Sequence, residues 1–111
     1  MTILEIFEKV NLTVPLEQRR FFNYFNDTIN ELISRYDGFV VEEGTEFKPI
    51  ASINDDCTVL PLYAQAIVDN ILFLSGQSEV YKNEFLRKAH EAYLKYWNDN
   101  AKGRRVRRMR W

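Results

Sequence analysis

Between Leu60 and Leu74, eleven of fifteen residues are apolar, and the polar remainder is little more than Gln65, Asp69 and Asn70. A helix with so narrow a polar side must be covered on most of its circumference, so the rest of the chain has to fold around this segment. Pro61 opens it, Thr58 is placed to cap it, and Gly76 closes it near Ser75. The run is interrupted by Pro61, Gln65, Asp69 and Asn70, whereas a membrane-spanning helix wants about 20 predominantly apolar residues. It reads as a core helix.

Three further helices are expected around it. Ile3, Ile6, Phe7 and Val10 stand at helical spacing, and the run ends near Val10 because Val14 is pushed toward extended geometry by Pro15. Phe21, Phe22, Phe25, Ile29, Leu32, Ile33 and Tyr36 recur at three- and four-residue steps and predict a second helix over 16 to 36. Pro15 is suited to its first turn and Asp37-Gly38 to its stop. The fourth starts near Ser78 and places Tyr81, Phe85, Ala89, Ala92, Tyr93, Tyr96 and Trp97 on one side. Asn83, Arg87, His90, Glu91 and Lys95 take the other, and its roughly 22 residues run about 33 Å. With only Gly76-Gln77 between them, helices three and four are expected to form a tight antiparallel hairpin, with helix two packed across it. Residues 39 to 53, with β-prone Phe39-Val40-Val41 between Gly38 and Gly44, predict a short β-hairpin or an extended arm, and Asn54-Asp55-Asp56 a turn.

The fold class is therefore a small all-α bundle of about four helices. A chain of 111 residues with 46% hydrophobic and 14% aromatic content can bury a real core, with the usual stability margin of about 5 to 15 kcal/mol. One cysteine, Cys57, cannot form an internal disulfide, and no basic-plus-apolar leader opens the sequence, so a reducing, cytosolic origin is expected.

The division of charge separates two parts. Residues 1 to 101 hold all sixteen carboxylates and nine basic side chains, a net of −7, while Lys102 to Trp111 hold six cations and no anion. The expected organisation is a helical domain over 1–101 and a basic C-terminal tail over 102–111, with a polyanionic or acidic partner for the tail. Five arginines within seven residues suit bidentate contacts to phosphate, and Trp111 suits stacking on a base. The same guanidinium forks fit protein carboxylates equally well. A disordered solubilising end is the plain alternative, and Val106, Met109 and Trp111 among the charges speak against it.

No catalytic constellation is visible. Nucleophilic use of Cys57 requires a base within hydrogen-bond range, and the single histidine, His90, falls on the polar stripe of the fourth helix. Asp55 and Asp56 lack further ligands at a metal-motif spacing and are turn residues. Glu42, Glu43 and Glu46 form a solvated acidic loop. The four glycines, at 38, 44, 76 and 103, stand alone, so no phosphate-cradling loop exists. Aromatic residues at helical spacing read as core. No enzyme activity and no cofactor are expected.

The hairpin carries a family resemblance. Leu60-Pro61-Leu62-Tyr63-Ala64-Gln65-Ala66-Ile67 opening an apolar helix, Gly76 closing it, and Glu79 through Tyr93 beginning a longer helix resemble the small helical head-tail connector, or adaptor, proteins of tailed bacteriophages. The resemblance covers 1 to 101 in helix order and about 40 residues in detail. It implies a structural virion protein, made in the host cytoplasm and placed at the head-tail interface. There it would form a homo-oligomeric ring, commonly of about twelve copies, between the portal and neighbouring connector or tail proteins, lining the DNA passage. Members of that family commonly engage the portal through the C-terminal segment. Lys102, Arg104, Arg105, Arg107, Arg108, Arg110 and Trp111 are thereby implied as the partner-binding set, for portal carboxylates or for DNA. An acidic channel lining would not grip DNA sliding past it. The rival class is a small nucleic-acid-binding protein that uses the tail, and the −7 body opposes it.

Overall fold

The structure, a computed structural model, describes the backbone of residues 2–108 and the side chains of 2–98. It contains α1 (Ile3–Asn11), α2 (Gln18–Arg35), a 3₁₀ turn (Pro61–Tyr63), α3 (Ala64–Leu74) and α4 (Glu79–Arg108). The all-α expectation holds, with no named strand among the described residues.

Each helix begins and ends for a local reason. Thr2 caps α1, its Oγ1 accepting from the Glu5 amide at 3.1 Å. Asn11 closes the same helix: its Nδ2 donates to the Phe7 carbonyl and its Oδ1 accepts from the Leu16 amide, so one side chain shapes the turn into α2. Pro15 lies ahead of α2 rather than in its first turn, because Glu17 occupies the N-cap. Thr58 does not cap the third helix. Leu60 takes that place without a side-chain bond, and the 3₁₀ turn at Pro61–Tyr63 leads into α3. At the other end Gly76 sits at φ +101°, with its amide bonded to the Phe73 carbonyl and that of Gln77 to Leu72. This paired closure needs the left-handed conformation that glycine adopts at little cost, and it turns the chain directly into α4.

α3 is the axis of the molecule. Ala66 through Leu72 are all buried, with α2 and α1 on one side and α4, its most extensive partner, on the other. Lys82 lies over the Phe73 ring while Lys88 bonds Asp69, so α3 and α4 run in opposite directions. From α2 come Phe21, Phe25, Ile29 and Leu32, from α1 Ile3, Ile6 and Val10, and from α4 Phe85, Ala89 and Ala92.

Two residues expected on a polar face of α3 are instead buried: Asp69 is 4% exposed and Asn70 1%. Burial of such groups requires partners, and both have them. Asn70 Nδ2 donates to Thr28 Oγ1 at 2.8 Å, and that hydroxyl donates to the Tyr24 carbonyl at 2.7 Å. Asn70 Oδ1 accepts from Lys82 Nζ at 3.2 Å, and the same ammonium reaches both carboxylate oxygens of Glu31 at 2.8 Å. Asp69 accepts from Lys88 Nζ at 2.7 Å. Among the described residues no buried side-chain polar atom lacks a partner.

Residues 39 to 53 form an extended arm and no hairpin. Val41 bridges antiparallel to Val59, with Glu42 N to Thr58 O and Leu60 N to Val40 O both at 2.8 Å. The pairing partner is thus the segment that enters α3. Asn26 holds the far end, its amide exchanging two hydrogen bonds with the Ile50 backbone at 3.0 and 2.8 Å. Val40, Ile50 and Val59 are buried by these ties. The turn expected at 54–56 forms slightly earlier, over 52–55, with the Asp55 amide bonded to the Ser52 carbonyl and the Asp55 carboxylate accepting from the Ala51 and Ser52 amides.

Two outcomes follow from these contacts. Lys88→Met should lower unfolding free energy by about 3 kcal/mol, the low end of the cost of breaking a buried pair, because Asp69 is left without a counter-charge. The double variant Asp69→Leu/Lys88→Met should recover much of that loss in urea titration. Asn26→Ala should raise amide-exchange rates at Ile50 and through the arm while leaving those of α3 unchanged, as read by hydrogen-exchange mass spectrometry.

Candidate functional site

The arm and the turn at 52–55 gather the acidic side chains of the loop region. Glu42, Glu43, Glu46, Asp55 and Asp56 are all exposed, against Lys48 as the one basic residue between 42 and 58. An open cleft of about 570 Å³ lies among Thr45, Glu46, Phe47, Lys48, Pro49, Asp55, Asp56 and Thr58. A second, of about 580 Å³, shares Asp55, Asp56 and Thr58 and adds Glu42 and the start of α1. The half-buried Phe47 packs toward the core against Phe25, with ring centroids 6.5 Å apart. The first cleft therefore combines an apolar wall with an acidic rim. Sequence order alone separates 42–46 from 55–56, and the Val41–Val59 bridge is what brings them together.

Among the described residues neither cleft brings a base to the one thiol. Cys57 lines the second and is half-buried. Burial pushes its thiol up, the backbone bond from Val59 pulls the other way, and nearby Glu42 adds to the rise. A raised thiol is less nucleophilic at neutral pH. His90 is exposed on α4 beside Tyr36 and Tyr93, and no hydrogen bond joins it to Cys57. The carboxylates do not assemble a metal site, since no group of three potential ligands converges among the described residues.

The second prominent feature is where α4 leaves the body. Tyr36 and Tyr93 stack at 4.8 Å with 21° between their planes. Phe39 meets Tyr93 edge-on at 5.3 Å and Tyr96 at 6.0 Å. The Phe39 carbonyl is held by the Tyr63 hydroxyl, which donates to it at 2.8 Å. Burial drives the Tyr63 phenol well above its usual range, so this donor keeps its proton at every working pH. The aromatic series thus divides: Phe21, Phe25 and Phe85 are core, as expected, whereas Tyr36, Phe39, Tyr93 and Tyr96 are partly exposed and pack on one another where they steady the helix. Trp97, expected on the inward side, is instead 38% exposed, as is Leu94 at 43%.

α4 does not stop at its expected length. It continues as helix to Arg108, through the first seven residues of the basic segment. The side chains of Lys102, Arg104, Arg105, Arg107 and Arg108 lie outside the described residues, as do Arg110 and Trp111 entirely. Nearer the body α4 carries an ordered charge array: Arg87 bridges Glu84 and Glu91, and Lys88 approaches Glu84 at 3.7 Å.

No known family model matches this chain, and neither curated proteins nor solved structures match it. No helix among the described residues is long and apolar enough to cross a membrane.

Cys57 provides a direct check on the loop. Its alkylation by iodoacetamide at pH 7.5 should run several-fold slower than in urea-unfolded protein. The native rate should climb with pH only above the ordinary thiol range, read by intact-mass spectrometry.

Proposed function

We propose that this chain is a structural assembly protein whose C-terminal segment grips an acidic partner, and that it performs no turnover. Within that class the reading favoured is a head-tail connector of a tailed phage, ring-forming, with the basic segment contacting the portal. The observation that carries the proposal is the division of charge along an unbroken helix: a body of net −7 and a segment of net +6, joined by α4 running from Glu79 to Arg108. A wholly cationic segment that follows a body of the opposite sign supports an acidic or polyanionic partner.

The hairpin supports the same reading. Leu60 to Ile67 form the proline-initiated entry to α3, and Gly76 closes it into α4, which are the residues that carry the connector resemblance. The acidic body suits a DNA passage, because a lining of like charge does not retain the polyanion. It disfavours the nucleic-acid-binding alternative, in which a basic face on the fold would accompany the segment; α2 instead mixes Arg19, Arg20 and Arg35 with Asp27 and Glu31.

A nuclease-treated pull-down from infected-cell lysate, comparing the full chain with residues 1–101, tests this. Portal or tail proteins should be recovered by the full chain and lost on truncation, with the two proteins melting within a few degrees of each other. Recovery of nucleic acid alone, and only when nuclease is omitted, would replace the proposal with the DNA-binding reading.

A further inference from the structure

The arm is tied down at both ends and open between them. Val41 is bridged to Val59, and Ile50 exchanges two hydrogen bonds with Asn26. Between these ties the backbone amides of Glu46, Phe47 and Lys48 have no hydrogen-bond partner among the described residues. Phe47 turns inward against Phe25, while Glu46 and Lys48 on either side of it are exposed. Alternation of this kind belongs to a strand with one face on a core. On the other side of the cleft the amides of Asp56, Cys57 and Thr58 also lack a partner among the described residues. A single open amide on a surface loop is met by water. Here two unpaired runs flank one cleft of about 570 Å³, which offers Phe47 and Pro49 as apolar surface and Glu46 and Asp56 as exposed anions.

We propose that this cleft is a docking site for an extended, basic segment of a partner protein, which adds as a strand to the arm at 46–48. An unfinished strand edge accepts a further strand through main-chain hydrogen bonds, and the side chains around it decide which strand is taken. Charge complementarity selects the occupant. Five exposed carboxylates lie between 42 and 58 against Lys48 alone, so cationic side chains on the incoming segment are favoured and nucleic acid is repelled. The apolar wall adds a place for one side chain of the segment beside Phe47 and Pro49. The edge is also short. Pro49 has no N–H and ends the ladder, and Lys48 with Pro49 are residue types that blunt an edge against indiscriminate pairing. The site lies on the body, apart from the C-terminal segment, and does not rest on the portal reading.

The test uses the purified full chain and a synthetic peptide of eight residues that alternates lysine with valine. Calorimetric titration should show saturable binding, and NMR should show amide shifts and slowed hydrogen exchange concentrated at 46–48. The same peptide N-methylated at its central residues keeps its charge and side chains but loses its main-chain donors, and it should not bind. A peptide alternating glutamate with valine should not bind either. Glu46→Lys or Asp56→Lys should each weaken binding by roughly fivefold, whereas Glu43→Lys should change it by less than about twofold, because only the first two charges rim the cleft. All three side chains are exposed and make no bond within the described fold, so helical spectra should be unchanged. Absence of binding, full binding by the N-methylated peptide, or equal losses in Glu43→Lys and Glu46→Lys would each overturn the proposal. Recovery of portal proteins in the lysate experiment is decided separately, by the presence or absence of the C-terminal segment.

Discussion

The fold turns on a short chain of hydrogen bonds through the middle of the bundle: Lys82 to Asn70, Asn70 to Thr28, Thr28 to the Tyr24 carbonyl. α3 is so apolar that generic burial would tolerate several rotations and axial shifts against its neighbours. Asn70 permits one. Its amide must meet a hydroxyl from α2 and an ammonium from α4 at once, and Asp69, one residue earlier, must face Lys88. An unmet polar group at either place would cost about 1 to 3 kcal/mol, more for the carboxylate, a large fraction of the stability of a domain this size. The polar pairs add little net energy where they are satisfied. Their effect is to penalise every other register.

The bundle was legible because its signals are local. Spacing of Phe21, Phe25, Ile29 and Leu32 places α2, and Gly76 with Pro61 brackets α3, whatever the rest of the chain does. The deviations arise where a partner distant in sequence decides. Asp69 and Asn70 read as a solvated stripe because nothing in their own neighbourhood reveals Lys82, Lys88 and Thr28. Residues 39 to 53 read as a hairpin or an extended arm, and what selects the arm is distant in sequence: the partner of Val41 is Val59, beyond Pro49 and the turn at 52–55. Thr58 reads as a cap by residue type, while its carbonyl is engaged by Glu42. For the candidate site the balance is less even. The basic segment is plain in composition, but the cleft is not, since its two acidic groups are joined only by that long-range bridge.

Charge is arranged on two scales here. Close to the core it is used in pairs: Glu31 with Lys82 and Arg35, Asp69 with Lys88, Arg87 with Glu84 and Glu91. Each of these clusters holds both signs and sums to no more than one net charge. The exposed acidic loop gathers carboxylates with Lys48 alone among them, and in sequence the C-terminal segment is wholly cationic, a distribution that costs self-repulsion in the isolated chain. That expense is removed when a surface of opposite sign arrives, and a protein built for assembly would distribute its charge in this way.

The aromatic knot of Tyr36, Phe39, Tyr93 and Tyr96 is a fulcrum. α4 is a stiff rod pinned there, so a tilt of about 10° at the knot would move the tip, about 18 Å farther on, by roughly 3 Å. The Phe39 backbone belongs to the arm and is held by Tyr63, so anything that strains the arm also bears on the pivot. A load on the loop can thus be delivered as a displacement at the far end of α4, which makes the molecule a small mechanical transmission.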